Sequence, residues 1–560
     1  MWNVGNLPHT FLTKTTVAAE TNPPILAMKT VVVGAGVAGA HAALTLLERG
    51  HDVELWDVGR ADTEFPAAGV AFHDLKEHLS DPVTYFLGAD LEAVVPPAAP
   101  ELLRYPPSRR FLATRDDPLL AFVSDGFFSY SSLAKGGLAN GWGANALAFD
   151  GNDLADWPVT FSEMEAAYRT AYGRIPVAGP ADDDLSPQLA GVYPSQPPVR
   201  LSGADERLLQ IYSRRKASLA RRGIRIGRAR LAVVTTAGRA DACDYCDRCL
   251  WGCPRASIYN PSVSTLRDCE AYKGFRYVSE RMVLSLLSSD DRINGIRYLD
   301  TATQQIGQEA CDVVFLAAGA LQTGAIFLRT LKAAHPEIAP ETEGLMDTTV
   351  IKIPFVALHS VGRPCDTRSF QFNRLIVGIN DESSPRPRYL HGELLHLTSL
   401  IYHPLIERMP FDSRLSRRLF FALKSALGVA SLFFPDRLTS GNRQVLVDEG
   451  GRWETVRLCY QETEDKENYI RQSVSGMRFA LWRLGCVPRG LVRQPSGGGI
   501  HYAGTVPMGK GPKSCDPTGR SNLFQNLFIA DGAAFPSLPS KSITMSLAAH
   551  AIRVALNAKP

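Results

Sequence analysis

Three groups of residues in this chain have the types and spacing of chemistry. The first is Gly34-Ala35-Gly36-Val37-Ala38-Gly39, which follows the β-branched run Thr30–Val33 and precedes a helical pattern, Ala40–Arg49, closed by Gly50. Strand, glycine turn and helix in this order make a phosphate cradle. Gly34 permits the tight turn, Gly36 lets the backbone approach a pyrophosphate, and Gly39 lets the helix pack closely on the strand. The free N–H groups of the helix N-terminus attract the anion. A second strand, Asp52–Trp56, ends at Asp57. That is about 20 residues past the glycines, where an acid accepts hydrogen bonds from ribose hydroxyls. The pattern predicts a bound dinucleotide and does not separate FAD from NAD.

The second group is Cys243, Cys246, Cys249 and Cys253 in CDYCDRCLWGCP, spaced C-x2-C-x2-C-x3-C-P as in a bacterial ferredoxin run. Thiolates this close repel one another unless a metal centre takes up the charge, and soft sulfur suits iron–sulfur or zinc. Structural zinc sites generally join two separated CxxC pairs, so the compact spacing favours an iron–sulfur cluster, 4Fe–4S or 3Fe–4S, with zinc or unmetallated thiols as alternatives. In two-cluster ferredoxins the fourth cysteine serves the other cluster, and this chain has no second run. Ten cysteines in 560 residues are too few for a disulfide scaffold and point to a reducing, cytoplasmic setting.

The third group centres on His501 in GGGIHYAGTVPMG, Gly497–Gly509. A histidine between a triple glycine and Gly504-Thr505 is poorly placed for core packing. An imidazole that titrates near operating pH can accept the proton of a hydroxyl. Further on, Asn526–Pro536 reads NLFIADGAAFP and Thr544–Ala555 is a small, apolar helical run. Leu527–Ala530 is expected to be a buried strand delivering Asp531 and Gly532 at its carboxyl end, where ligands bind in open α/β sheets.

In this order the C-terminal segments resemble the end of the glucose–methanol–choline (GMC) oxidoreductase family. Gly136–Gly143 (GGLANGWG) resembles the family's glycine-rich loop near the flavin, and Asp312–Thr323 (DVVFLAAGALQT) its late strand and turn by the dinucleotide. The resemblance spans residues 30 to 555, with 330–490 matching only loosely. It implies FAD rather than NAD. Cofactor contacts are implied at Gly137, Asn140, Gly143, Asn145, Ala318, Gly319, Asp531, Gly532 and Thr544, besides Gly34, Gly36, Gly39 and Asp57. His501 is implied as the base for an alcohol whose carbon passes hydride to flavin N5. Relatives place a second His or Asn shortly after the FP turn, but here the window reads Leu538-Pro539-Ser540-Lys541-Ser542-Ile543-Thr544. Ser540, Lys541 or Ser542 is expected in that role, a hydroxyl by hydrogen bonding the substrate or the lysine by stabilising developing negative charge. His550, two helical turns past Ser542, reads as structural. Cys249–Asn260 (CLWGCPRASIYN) also resembles the iron–sulfur region of bacterial FAD-dependent glucose dehydrogenases, which implies an electron relay from the flavin to an external acceptor.

The elements that must position these groups set the architecture. A chain of 560 residues exceeds what one core supports. The expected fold is α/β, a Rossmann-like FAD-binding domain with an inserted α+β substrate domain. The boundaries are 1–27, a tail; 28–330, FAD-binding with the cysteine segment; 331–490, substrate domain; and 491–560, the C-terminal part of the FAD-binding domain. Residues 1–27 lack the pattern of a secretory signal, and Met28 is an alternative start. Sixty basic against 57 acidic residues, with no long block of one sign, exclude a nucleic-acid footprint. No apolar run is long enough for a membrane span. Phe161–Tyr172 is expected to be a helix with Ser162 as N-cap and Glu165 three residues on. Residues 175–205 read as a surface excursion. Residues 414–436 combine a basic start with an apolar helical run, either a buried helix of the substrate domain or a membrane-surface contact.

Together these features predict an oxidoreductase acting on a CH–OH group, of a sugar or natural-product alcohol, that passes electrons through the cysteines. The alternatives are an oxidase using oxygen, a non-oxidative flavoprotein of the same fold, and an electron-transfer partner without a substrate of its own.

Overall fold

The computed structural model describes residues 28–61, 72–94, 105–113, 117–124, 126–366, 368–381, 388–397, 403–407 and 409–558. The expected tail, 1–27, lies outside the described residues. The β-branched run Thr30–Val33 is fully buried, as a strand covered on both faces must be. It is the centre of a five-stranded parallel sheet, ordered Leu527–Ile529, Val313–Leu316, Thr30–Val33, Val53–Trp56, Phe275–Val278. Strands from both ends of the sequence therefore share this sheet, one strand apart, and its carboxyl edge is complete only when they assemble. The helix after the glycine turn runs Val37–Glu48. It packs against Thr544–Asn557, which packs in turn on Phe161–Arg174.

A second, antiparallel sheet has the order Cys486–Pro488, Thr349–Ala357, Leu427–Phe434, Arg388–His396, Leu375–Asp381, Ile224–Arg228. It draws its outer strand from far upstream of the others. Helices Gly203–Ala220 and Glu464–Arg483 bury one face through Leu208, Tyr212, Met477 and Leu481. Leu390 and Leu394 of the Arg388–His396 strand join that apolar layer. Because side chains alternate along a strand, Tyr389, His391 and Glu393 occupy the other face. That alternation directs polar groups toward the parallel sheet.

Two local expectations are corrected. The helix Phe161–Arg174 is capped by Thr160, not Ser162: the Thr160 hydroxyl accepts the Glu163 N–H and the Glu163 carboxylate accepts the Thr160 N–H at 2.6 Å. The cap lies two residues earlier and satisfies two orphan donors reciprocally. Residues 414–436 are not one helical run. The helix Ser413–Leu423 gives way to the strand Leu427–Phe434, paired on both edges. A short apolar run fits either state, and two partner strands decide it. On the helix, Leu415 and Phe421 stay exposed beside Arg414, Arg417 and Arg418. Among the described residues, no helix is long and apolar enough to cross a membrane.

Candidate active site

A cavity of about 420 Å³ opens between the carboxyl edge of the parallel sheet and the inner face of the antiparallel one. At one end it is lined by Gly34 to Ala38, Asp57 and Gly137. Gly34 has φ +101, and a Cβ there would meet the Ala317 carbonyl oxygen at 2.5 Å, so only glycine makes this turn. Gly39 does not line the cavity; a Cβ on it would fall 1.8 Å from the Gly34 oxygen, so its role is the close approach of helix to turn. At Gly36 a Cβ would meet nothing within 4 Å and would fill the open space instead. Asp57, at the end of its strand, is held by Ala35 and Val58 N–H groups, and burial pushes its carboxyl up to about 7. A carboxyl so enclosed gains from hydroxyl donors that arrive with a ligand.

Asp531 accepts the Gly319 N–H at 2.8 Å, the Thr323 hydroxyl at 2.6 Å and the Ala533 N–H at 2.9 Å. Burial pushes it up to about 6. It therefore ties the end of the chain to the turn after Val313–Leu316, and Ala318, Gly319, Asp531 and Gly532 all line the cavity. Ser542 and Thr544 line it too, at the N-terminus of the helix Thr544–Asn557, whose dipole favours negative charge there. Glycine cradle, ribose-facing carboxyl and two helix N-termini in one elongated cavity fit a flavin dinucleotide.

His501 reaches the cavity from a pinned loop. The Asp347 carboxylate accepts the N–H groups of Gly497 and Gly499 at 2.8 and 3.2 Å, and the Tyr502 hydroxyl donates to the Gly497 carbonyl at 2.6 Å. These anchors hold Ile500 at φ 58, a left-handed backbone that a β-branched residue adopts at a cost of about 1–3 kcal/mol. The imidazole of the next residue is thereby turned into the cavity. Its Nδ1 is buried without a hydrogen-bond partner, and its ring packs on Phe433 at 6.2 Å between centroids. Burial, with the His391 ring nearby, lowers its pKa to about 4. The ring is thus neutral at physiological pH and able to accept a proton.

The residues expected to assist His501 are partly misassigned. Lys541 is fully buried and does not line the cavity; its ammonium lies 2.7 Å from both Asp150 and Asp153. Burial opposes its charge, but the two carboxylates raise its pKa, so it remains a structural cation. Ser540 is also away from the cavity, its hydroxyl donating to the Tyr389 carbonyl at 2.7 Å and accepting the His391 N–H at 3.1 Å. Asn140 holds its own loop through the Lys135 and Gly137 carbonyls at 2.9 and 2.8 Å and does not line the cavity. Gly137, Gly143 and Asn145 do. His550 donates to or accepts nothing in the cavity; its Nε2 meets the Ile529 carbonyl at 3.1 Å inside the core.

Sequence reasoning missed His391 and Glu393, which line the cavity from the antiparallel sheet. Glu393 is hydrogen-bonded by the Asn145 amide. The available signal was Tyr389, His391 and Glu393 at alternate positions of a strand whose intervening residues are apolar or glycine.

The four cysteines do not make the expected metal site. Among the described residues, no group of three or more Cys, His, Asp or Glu side chains is arranged to hold a metal ion. All four thiols are free. Burial raises Cys243 to about 11 and Cys246 to about 12, and holds Cys249 well above the ordinary range. Two sulfurs are already engaged, Cys249 accepting the Gln371 N–H at 3.4 Å and Cys253 the Ser257 N–H at 3.2 Å. With no such metal-holding group among the described residues, the structure gives no support to a cluster or to an electron path through these sulfurs.

Residues 489–551 match the GMC oxidoreductase family. No curated protein matches the chain in sequence. Among solved structures, pyridoxine 4-oxidase from Mesorbium loti superposes with a TM-score of 0.57 at 14% identity, over 94% of this chain and 98% of that one. An FAD-dependent oxidoreductase from Chaetomium thermophilum superposes with a TM-score of 0.58 at 13% identity, over 94% and 98%. The structural likenesses establish the fold across nearly the whole chain, and the C-terminal segment bearing His501 is the part that matches the GMC oxidoreductase family.

Proposed function

We propose that this chain, with the C-terminal segment of a GMC oxidoreductase on the matching fold, is an FAD-dependent enzyme that oxidises a CH–OH group. The observation that carries the reading is His501: a neutral imidazole with one ring nitrogen unpartnered, lining the cavity that also contains the glycine cradle and Asp57. Gly34, Gly36, Asp57, Gly319, Asp531 and Thr544 would hold FAD, which supplies the acceptor for the hydrogen and two electrons leaving the carbon. His501 takes the hydroxyl proton as the carbonyl forms. Replacing His501 with Ala should cut flavin reduction by an alcohol about 10²–10⁴-fold while leaving FAD bound. Unchanged reduction in that variant would refute the assignment.

A second reading concerns the fate of the electrons. The fold shared with pyridoxine 4-oxidase supports an oxidase, in which oxygen would take the electrons directly. Peroxide formed in air in proportion to the alcohol consumed supports it, and turnover that needs an added acceptor excludes it.

A further inference from the structure

Two imidazoles, not one, line this cavity with a ring nitrogen left unpartnered. His391 is 1% exposed and lines the cavity, and its Nε2, like Nδ1 of His501, has no hydrogen-bond partner. A buried polar atom left unpaired is costly, and a ligand that completes it removes the cost. The rest of the ring is fixed. Nδ1 lies 3.2 Å from the Tyr389 hydroxyl; a hydroxyl donating there places the ring proton on Nε2, which then offers an N–H to the cavity. Glu393 Oε1 stands 3.6 Å from that nitrogen, too far for a good hydrogen bond but close enough to favour a protonated Nε2. Ser540 pins the strand on both sides of His391, and Phe433, directly opposite in the next strand, packs on the rings of both histidines at 5.5 and 6.2 Å.

We propose that His391 is a second catalytic residue, donating its Nε2–H to the substrate oxygen while His501 accepts the hydroxyl proton. The inference rests on the oxidoreductase reading and supplies the partner that the Ser540–Thr544 window lacks. In the step, the O–H bond breaks with its proton going to His501. The C–H bond breaks with its electron pair as a C=O bond forms, and FAD, held by the glycine cradle, would supply the acceptor for the hydride and its two electrons. Negative charge gathers on the oxygen as its proton leaves, and the His391 N–H, already oriented, stabilises it there.

The test uses the FAD-loaded protein and trifluoroethanol, an acidic alcohol that resists oxidation, with binding read by fluorine NMR. Wild type should bind it, His391→Phe should bind at least about tenfold more weakly, and His391→Gln, whose amide still donates, should recover most of the affinity. With an alcohol that reduces wild type, His391→Phe should lower the limiting rate of flavin reduction about 10²–10³-fold. Nitrogen-15 histidine spectra of the wild-type protein, which need no variant to fold, should show His391 protonated on Nε2. Equal trifluoroethanol affinity in wild type and His391→Phe, an undiminished reduction rate, or an Nδ1-protonated His391 overturns the proposal. If no alcohol reduces wild type while trifluoroethanol binding still depends on His391, the oxidation reading alone falls and the donor assignment stands.

Discussion

At the scale of the residue, the proposed catalysis turns on a histidine kept in its proton-accepting form by what surrounds it. An exposed imidazole loses its accepting nitrogen to protonation below about pH 6.5. His501, with its pKa lowered to about 4 by burial and the His391 ring, keeps that nitrogen free over a wider range. The sign follows directly: the active form is the unprotonated one, present above the pKa and lost below it. The rate of anaerobic flavin reduction should therefore stay level from neutrality down to about pH 5 and fall below about pH 4. A decline beginning near pH 6.5 would show that the ring titrates as if exposed. His501 was legible because a triple glycine before it and Gly504-Thr505 after it are a poor setting for a residue that only fills space. His391 was not, because alternation in a strand separates two faces without saying which of them meets a cavity.

At the scale of the element, strands from opposite ends of the sequence and buried charges reaching across the fold build the site. The parallel strands could be read from their β-branched, fully apolar runs. The role of Lys541 could not, because Asp150, one of its partners, lies 391 positions away. A lysine near the substrate end of a flavin site suggests electrostatic catalysis until its acids are found. Removing it as Lys541→Met leaves two buried carboxylates without their cation, which should cost about 3–5 kcal/mol of stability. Thermal unfolding should register the loss, and the pH profile of flavin reduction should keep its shape. Wild-type stability in Lys541→Met would contradict the structural role; a shifted profile would restore a catalytic one. The segment 427–434 was misread for a different reason: an apolar run of this length suits a helix or a strand alone, and only its pairing with Thr349–Ala357 and Arg388–His396 selects the strand.

At the scale of the whole molecule, two sheets meet so that one supplies the cradle for a dinucleotide and the other the groups that would grip a substrate. Sequence spacing located the cysteines but carried no information on how their sulfurs are arranged, and among the described residues no group of three or more Cys, His, Asp or Glu side chains is arranged to hold a metal ion. Protein purified without oxygen should accordingly contain no stoichiometric iron or acid-labile sulfide, and a broad brown absorption would contradict that arrangement. The most direct measurement of the central claim is the visible spectrum of the FAD-loaded protein as primary and secondary alcohols are added without oxygen. An alcohol should bleach the flavin bands in wild type and bleach them about 10²–10⁴-fold more slowly in His501→Ala; bands that persist in wild type with every alcohol, or that bleach at the wild-type rate in the variant, would contradict it.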